Sequence, residues 1–510
     1  MAIASGQKIE PKNEIWLLIA TITASSMAMI DSTALNVALP ALQKSLNISG
    51  AQLLWVVNSY LLFLSSLLLV GGSLGDYLGR KKIFMFGIGL FALSSIACGV
   101  SPNGLFLIIA RAVQGIGGAL MVPGSLTLIA ALFPQEKKGR AIGTWSMFSA
   151  LTTILGPVLG GVFANLGLWR WVFFINVPLG IMALWILSTK IPESKIKKNE
   201  GALDFRGALF ITFSLGFATY GFIQASEWSF SNPIIIASLI LSAVFFSIFM
   251  VIEKRAKNPL MPLFLFRNNT FSALNFLTFL IYGALGAVLF FLPLNIIQIQ
   301  GYSEIIAGLG ILPFGILISV LARISGKWVD QYGYKKLLII GPLITAIGFA
   351  AFSMIGYIGN SISFLYTFLP ALIICGIGMG LTVVPLTTGI MMCINENYTG
   401  AASGINNTIS RAASVIVLAI MGSMALIQFK KDFKSDMDLN SYTLEQRELL
   451  DKELLKFAEA EAPEIFNQDE QDRINLNIRE SFLTIYKHVC LIGAFMPLMG
   501  AVFIYFYVRE

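Results

Sequence analysis

Two charged residues stand inside otherwise apolar stretches, and their types suit proton chemistry. Asp31 lies about sixteen residues into a long hydrophobic run, in Met27-Ala28-Met29-Ile30-Asp31-Ser32-Thr33-Ala34-Leu35-Asn36. Arg111 opens Arg111-Ala112-Val113-Gln114-Gly115-Ile116-Gly117 near the start of another run. A charge at the centre of an apolar span costs roughly 2.5–3.5 kcal/mol on insertion scales, so each requires a reason. At 1.5 Å per residue Asp31 is roughly 24 Å from the start of its span. Arg111 enters its own span from the opposite side, so the two reach similar depths and can face each other. Desolvation favours a protonated carboxyl and a nearby cation favours an ionised one. A carboxylate whose cation moves would therefore bind and release a proton. A permanent ion pair that fixes helix packing fits the same residues, and both readings stay open.

Arg411, in Gly404-Ile405-Asn406-Asn407-Thr408-Ile409-Ser410-Arg411, is a second deep cation, placed either to line a cavity or to tie spans together. Asn36, Trp55, Tyr60, Trp145, Phe148, Tyr282, Phe290, Asn407 and Arg411 are candidate contacts for a bound compound. Each aromatic among them fits lipid equally well. His488, beside Lys487, reads as an interfacial anchor. Cys98, Cys375, Cys393 and Cys490 are scattered without CxxC spacing, which predicts neither a disulfide framework nor a metal site. No Walker-type GxxxxGK[ST] sequence occurs, and no span pairs a nucleophile with a base. No cofactor and no enzymatic activity are expected.

The elements that position these residues are membrane helices. Of the 510 residues, 56% are hydrophobic and 12% charged, too few charges to cover a soluble protein of this length. The apolar blocks are long enough to cross a hydrocarbon core of about 30 Å, where only helices satisfy their own backbone. Fourteen spans are predicted. The first six lie near 15–39, 52–74, 83–101, 105–131, 140–165 and 170–189, and two more near 207–225 and 233–253. The last six lie near 271–296, 305–325, 336–357, 364–390, 401–427 and 484–508. The fold class is an all-α polytopic membrane protein of two pseudo-symmetric six-helix bundles with two central inserted helices. The expected domains are an N-terminal bundle (1–206), the insert with its linkers (207–270), and a C-terminal bundle (271–510) carrying an extracytoplasmic loop at 428–483.

One set of short loops is basic, holding Arg80, Lys81, Lys82, Lys137, Lys138, Arg140, Lys195, Lys197, Lys198, Lys254, Arg255, Lys257, Lys335 and Lys336. The positive-inside rule makes that side, and both termini, cytoplasmic in a bacterial inner (plasma) membrane. The net charge of +7 is mostly this bias, so nucleic acid is not needed as a partner. The expected partners are membrane lipid, protons and a small amphipathic compound.

A polar turn occurs twice. Gly72-Ser73-Leu74-Gly75-Asp76-Tyr77-Leu78-Gly79-Arg80-Lys81-Lys82 returns as Gly326-Lys327-Trp328-Val329-Asp330-Gln331-Tyr332-Gly333-Tyr334-Lys335-Lys336. Internal duplication of this kind marks two related bundles. Gly72, Asp76, Gly79, Arg80, Asp330, Gly333 and Lys335 suit a conformational latch, while the basic residues alone would serve topology. In Leu155-Gly156-Pro157-Val158-Leu159-Gly160-Gly161, Pro157 removes a helix hydrogen bond and Gly156, Gly160 and Gly161 permit close contact. These four residues suit a pivot.

Together these residues resemble the major facilitator superfamily, and more closely its fourteen-span drug:proton antiporter branch. Gly72 to Lys82 resembles the superfamily's signature loop, Arg111 to Gly117 its span-four motif, and Gly156 to Gly161 its antiporter motif. Asp31-Ser32-Thr33-Ala34-Leu35-Asn36-Val37-Ala38-Leu39-Pro40 resembles the span-one motif of the branch, as do Trp169-Arg170-Trp171 and Asn176-Val177-Pro178. Thr152 departs from the antiporter motif, which often has glycine there. The resemblance implies alternating access, with Asp31 exchanging protons, Arg111 modulating it, and amphipathic drug-like cargo. With one deep carboxylate in view, neutral or singly charged cationic cargo is expected.

Thr443 to Glu461 carries Leu444, Leu449, Leu450, Leu454, Leu455 and Phe457 at near-helical spacing. It is expected to form a helix or hairpin over the outer face, as an exit gate, a dock for an envelope adaptor protein, or filler. The competing functions are an exporter of one endogenous metabolite, such as a siderophore, fatty acid or peptide, and a non-transporting membrane receptor or scaffold.

Overall fold

The computed structural model describes residues 13–193, 204–256, 259–356, 363–395, 398–437 and 442–508, and not the side chains of Asp76 and Gln135. Asp76 as a latch carboxylate, and the basic-loop residues Lys195, Lys197, Lys198 and Lys257, therefore lie outside the described groups. The first bundle comprises α1 (Glu14–Leu46), α2 (Gly50–Leu78), α3 (Arg80–Gly99), α4 (Gly104–Leu132), α5 (Gln135–Asn165) and α6 (Trp171–Lys190). Next come α7 (Phe205–Trp228) and α8 (Pro233–Arg255). The second bundle comprises α9 (Asn269–Ile299), α10 (Glu304–Tyr332), α11 (Lys335–Ser353), α12 (Phe364–Met392), α13 (Thr399–Asp436) and α15 (Gln468–Tyr507). The short α14 (Leu444–Leu454) lies between the last two. Among the described residues fourteen helices, all but α14, are long and apolar enough to cross a membrane.

Each duplicated turn is a break between two helices made by one glycine. Gly79 has φ +111° and Gly333 φ +76°, values that an L side chain rarely adopts. The helices then restart at Arg80 and Lys335. Helix α7 packs against both α2 and α13, so the inserted pair is attached where the two bundles meet. Only 17% of the apolar window of α8 is buried, against 72% for α2, so α8 turns most of its surface outward, away from the bundles.

The fold corrects the expected loop at 428–483. Helix α13 continues to Asp436 and α15 begins at Gln468, so both project well past a bilayer's thickness. The cause is readable in the chemistry of these segments. Asn467 accepts from the Glu470 amide while the Glu470 carboxylate accepts from the Asn467 amide, a capping box that starts α15 early. Phe429 and Phe433 on α13 and Ile474, Ile478 and Phe482 on α15 are buried, giving both extensions an apolar stripe. The remaining connection, with α14 started by a Thr443–Gln446 capping box, folds over the end of the molecule opposite the basic loops. We call these ends the cap face and the basic face.

Candidate functional site

Asp31 and Arg111 meet. Arg111 Nη1 lies 2.5 Å from Asp31 Oδ2, and both side chains are shut away, at 1% and 0% exposure. Gln114, one helical turn past Arg111, completes the site. Its Nε2 donates to Asp31 Oδ1 at 2.8 Å and its Oε1 accepts from Arg111 Nη1 at 2.7 Å. Both carboxylate oxygens are thus held by donors. The guanidinium also donates through Nε to the Val56 carbonyl at 3.4 Å and stacks 4.2 Å from the Tyr60 ring centroid. Behind Gln114, Ser95 accepts from Gln114 Nε2 (3.3 Å) and from Asn176 Nδ2 (3.0 Å). Sequence reasoning missed Gln114, Ser95 and Asn176 as parts of this network. The signal was present: Gln114 follows Arg111 at i+3, which puts both on one helix face.

This network borders a cavity of about 350 Å³ between the bundles, lined by Asn36, Tyr60, Arg111, Tyr282, Phe290, Asn407 and Arg411. Asn407 and Arg411 also line a larger space of about 520 Å³ toward the basic face, with Trp145, Gly72 and Ser73. Trp145 is fixed there by its indole N–H, which donates to Ser25 Oγ at 3.0 Å. A third, mostly apolar space of about 350 Å³ shares Asn36, Tyr282 and Leu289 with the first. Two candidate contacts sit elsewhere. Trp55 packs on Tyr220 of α7, with ring centroids 6.5 Å apart, and Phe148 is 39% exposed on α5. Neither lines these three cavities.

At the cap face the bundles are pressed together. A side chain at Gly161 of α5 would run into the Glu304 carbonyl of α10, and one at Gly308 of α10 into the Pro157 carbonyl of α5. Gly160 lies equally close to the Ala34 carbonyl of α1, and Gly156 to Thr33. The segment Gly156–Gly161 therefore touches α1 on one side and the opposite bundle on the other. The Thr152 hydroxyl turns back to its own helix, donating to the Phe148 carbonyl at 3.0 Å. The cap adds a second seal. Gly50 N donates to the Leu455 carbonyl (2.8 Å) and Gln43 Nε2 to the Lys456 carbonyl (2.7 Å), binding the cap to α1 and α2. The Phe457 ring sits among Phe291, Phe429 and Phe482 of the second bundle, with centroids 5.0–6.0 Å away. Gln298 Nε2 donates to Glu459 Oε2 at 2.6 Å. Burial pushes the Glu459 carboxyl above its ordinary range, against the opposing pull of this hydrogen bond and of Lys44.

The duplicated turns hold to their own bundles. Arg80 Nη1 donates to the Thr127 carbonyl of α4 (3.4 Å). Lys81 N donates to Glu193 Oε1 (3.1 Å), and Lys81 Nζ to the Ile191 carbonyl (2.6 Å). Gly72 packs toward Pro123 of α4. In the second copy Asp330 is exposed and Lys335 lies 5.9 Å over the Tyr505 ring of α15. His488 is exposed beside Lys487.

Two helical bundles closed together at one face, with a cavity between them and a buried ion pair beside it, form the architecture of a membrane transporter. The family model described as Major Facilitator Superfamily matches residues 21–418, and the chain belongs to that superfamily, with the span count of its fourteen-span branch. It is 31% identical over 419 residues to the multidrug resistance protein Stp of Mycobacterium tuberculosis, covering 81% of this chain and 76% of that protein. It is also 31% identical over 410 residues to the methylenomycin A resistance protein of Bacillus subtilis, covering 80% of this chain and 87% of that one. Among solved structures, a bacterial homologue of the human lysosomal transporter Spinster matches with a TM-score of 0.68 at 14% identity, over 98% of this chain and 99% of that one. The xylose transporter XylE from E. coli matches with a TM-score of 0.57 at 16% identity, over 97% and 96%. These two show the fold. The chain is a multi-pass transporter rather than an enzyme.

Proposed function

We propose that the protein exports amphipathic drug-like compounds from a bacterial cytoplasm, drawing on the inward flow of protons across the inner membrane. The observation that carries this reading is the Asp31–Arg111–Gln114 network, sealed from solvent yet sharing Arg111 with the central cavity. The resistance functions in the names of its relatives support the direction of transport. The basic face and both termini are cytoplasmic on the positive-inside rule.

With the cap face closed, the Asp31 side chain is bound by Arg111 and Gln114, and cargo enters from the basic face. Reversal of the bundles about the Gly156–Gly161 contact opens the cap face, releases the cargo and admits water toward Asp31. A proton then takes the place of the guanidinium on the carboxylate. Return to the closed state re-pairs Arg111 with Asp31, and the proton leaves to the cytoplasm. Neutral cargo exchanged for one proton moves one charge inward, about 2.3 kcal/mol per 100 mV of membrane potential. The duplicated turns, tied within their own bundles here, would latch across the bundles when the basic face closes.

The cap turns Leu450, Leu454 and Phe457 onto the protein's own helices, which favours a gate over a docking surface for an adaptor. The test is proton flux in inside-out vesicles holding an imposed pH gradient, challenged with a panel of amphipathic compounds. Release of the gradient by several of them supports a multidrug exporter. Response to one alone indicates a narrow-substrate exporter. Silence to all, in folded and inserted protein, refutes the multidrug reading and leaves a narrow-substrate exporter or a non-transporting receptor.

A further inference from the structure

We propose that the exported cargo carries an anionic head, a carboxylate or acidic phenolate, which docks on Arg411, while its apolar body lies in the adjoining space toward α10 and α12. This rests on the exporter reading and narrows its substrate class, reversing the expectation of neutral or monocationic cargo.

The charged residues that line the three cavities are Arg111 and Arg411. Arg111 is neutralised by Asp31, whose two oxygens are both occupied and whose side chain has no exposure. Asp31 therefore presents no free negative charge to the cavity. Among the described residues Arg411 makes no ion pair and no hydrogen bond, although it sits where the central cavity meets the space toward the basic face. A guanidinium held between two bundles without a counter-ion carries an electrostatic cost that a bound anion removes. A cationic cargo would increase it.

A second observation points to the same place. The Tyr60 ring lines the same cavity, while its hydroxyl is buried without a hydrogen-bond partner near Gly118 of α4. The Asn36 and Asn407 amides supply neutral donors beside the fixed cation, one N–H of Asn407 being already given to the Ser403 carbonyl at 3.1 Å. An oxyanion uses both the guanidinium and the amide N–H groups, whereas an ammonium meets only the amide oxygens and is repelled by the guanidinium. The space continuing from Tyr282 and Leu289 is walled by Ile154, Phe314, Ile318, Met379 and Val383, which suits a hydrocarbon or aromatic body. Exchange of one such anion outward for one proton inward moves two charges, so an inside-negative potential drives it more strongly than neutral exchange.

The probes are dansylamino-undecanoate, its methyl ester, and the trimethylammonium analogue of equal chain length. Binding to the purified full-length protein is read by transfer from tryptophan to dansyl. The wild type should bind the carboxylate about tenfold or more tighter than either analogue, the scale of a charge-assisted hydrogen bond. Arg411→Gln should remove the preference and Arg411→Lys should keep most of it, with both variants checked for thermal stability. A role confined to packing would alter all three affinities together. The proposal is overturned if the trimethylammonium probe binds as tightly as the carboxylate, if no probe binds, or if folded Arg411→Gln retains the preference. Because binding needs no proton gradient, absence of coupled flux would refute the multidrug reading while leaving this preference measurable.

Discussion

Phe457→Ala should tip the protein toward a state open at the cap face. The cap holds the bundles together through two attachments in series, and the weaker sets what opening costs. On the second bundle the Phe457 ring, 3% exposed, fills a pocket of three aromatic rings, and truncating such a side chain costs about 3–5 kcal/mol. On the first bundle the attachment is two hydrogen bonds, from Gly50 N and Gln43 Nε2, each worth about 1 kcal/mol net. The tie is therefore worth about 2 kcal/mol, the smaller figure. Removing the ring takes away the largest hold on the second bundle but leaves the Gln298–Glu459 hydrogen bond and buried Leu450 and Leu454, so the shift in the closed-to-open equilibrium is at most roughly 30-fold. An open state at about 1% would rise to at most about a quarter of the population. Gln43→Ala, which removes one of the two bonds and also the acceptor for Gln298 Nε2 of the second bundle at 3.2 Å, should shift it about fivefold or more. The assay is pulsed electron paramagnetic resonance between labels at Asn165 and Leu365, exposed sites on opposite bundles at the cap face, with all four cysteines replaced. A longer-distance population should grow in the order wild type, Gln43→Ala, Phe457→Ala. Unchanged distributions in both variants, in protein that elutes as folded, would refute the cap as a seal between the bundles.

Three further outcomes follow from the same geometry. Gln114→Leu should lower coupled transport about tenfold or more with probe binding kept, because a hydrogen bond to a charged group is lost. The thermal destabilisation caused by the same substitution should be smaller in an Asp31→Asn background, a non-additivity that a double-mutant cycle measures. Gly161→Val should shift the Asn165–Leu365 distances to the open form and stop transport, since its side chain meets the Glu304 backbone, whereas Gly143→Ala, facing open space, should be silent. The raised Glu459 carboxyl means that the docked cap holds its proton more tightly than the undocked cap. Docking should therefore be strongest at acidic pH and weaken as pH rises from the ordinary carboxyl value of about 4.3 through the raised one. Protease susceptibility of the cap should rise across that window, and Glu459→Gln should flatten the response.

The spans were legible because apolar length alone identifies a bilayer-crossing helix, and the duplicated turn gave the two-bundle register. The meeting of Asp31 and Arg111 followed from their depths in oppositely directed spans. Gln114 was visible as a neighbour of Arg111, but its use of both amide ends depends on how α1 and α4 cross. The cap was harder to read. Its helical extensions carry charge along with their buried stripes, so hydropathy closed α13 and opened α15 at the membrane surface. Gln43 and Gln298, which bind the cap, look like ordinary loop-end polar residues until segments far apart in sequence come together. Trp55 illustrates the opposite failure: an aromatic in a span has no direction in one dimension, and this one turns to α7.

The most direct test of the central claim is substrate-driven proton release from inside-out vesicles carrying Asp31→Asn, set beside substrate exchange at equal concentrations on both sides. The account predicts that proton release is abolished while exchange continues, because the cavity and the moving bundles remain and the titrating carboxyl is gone. Proton release at the wild-type rate from the variant would contradict it and place coupling elsewhere in the molecule.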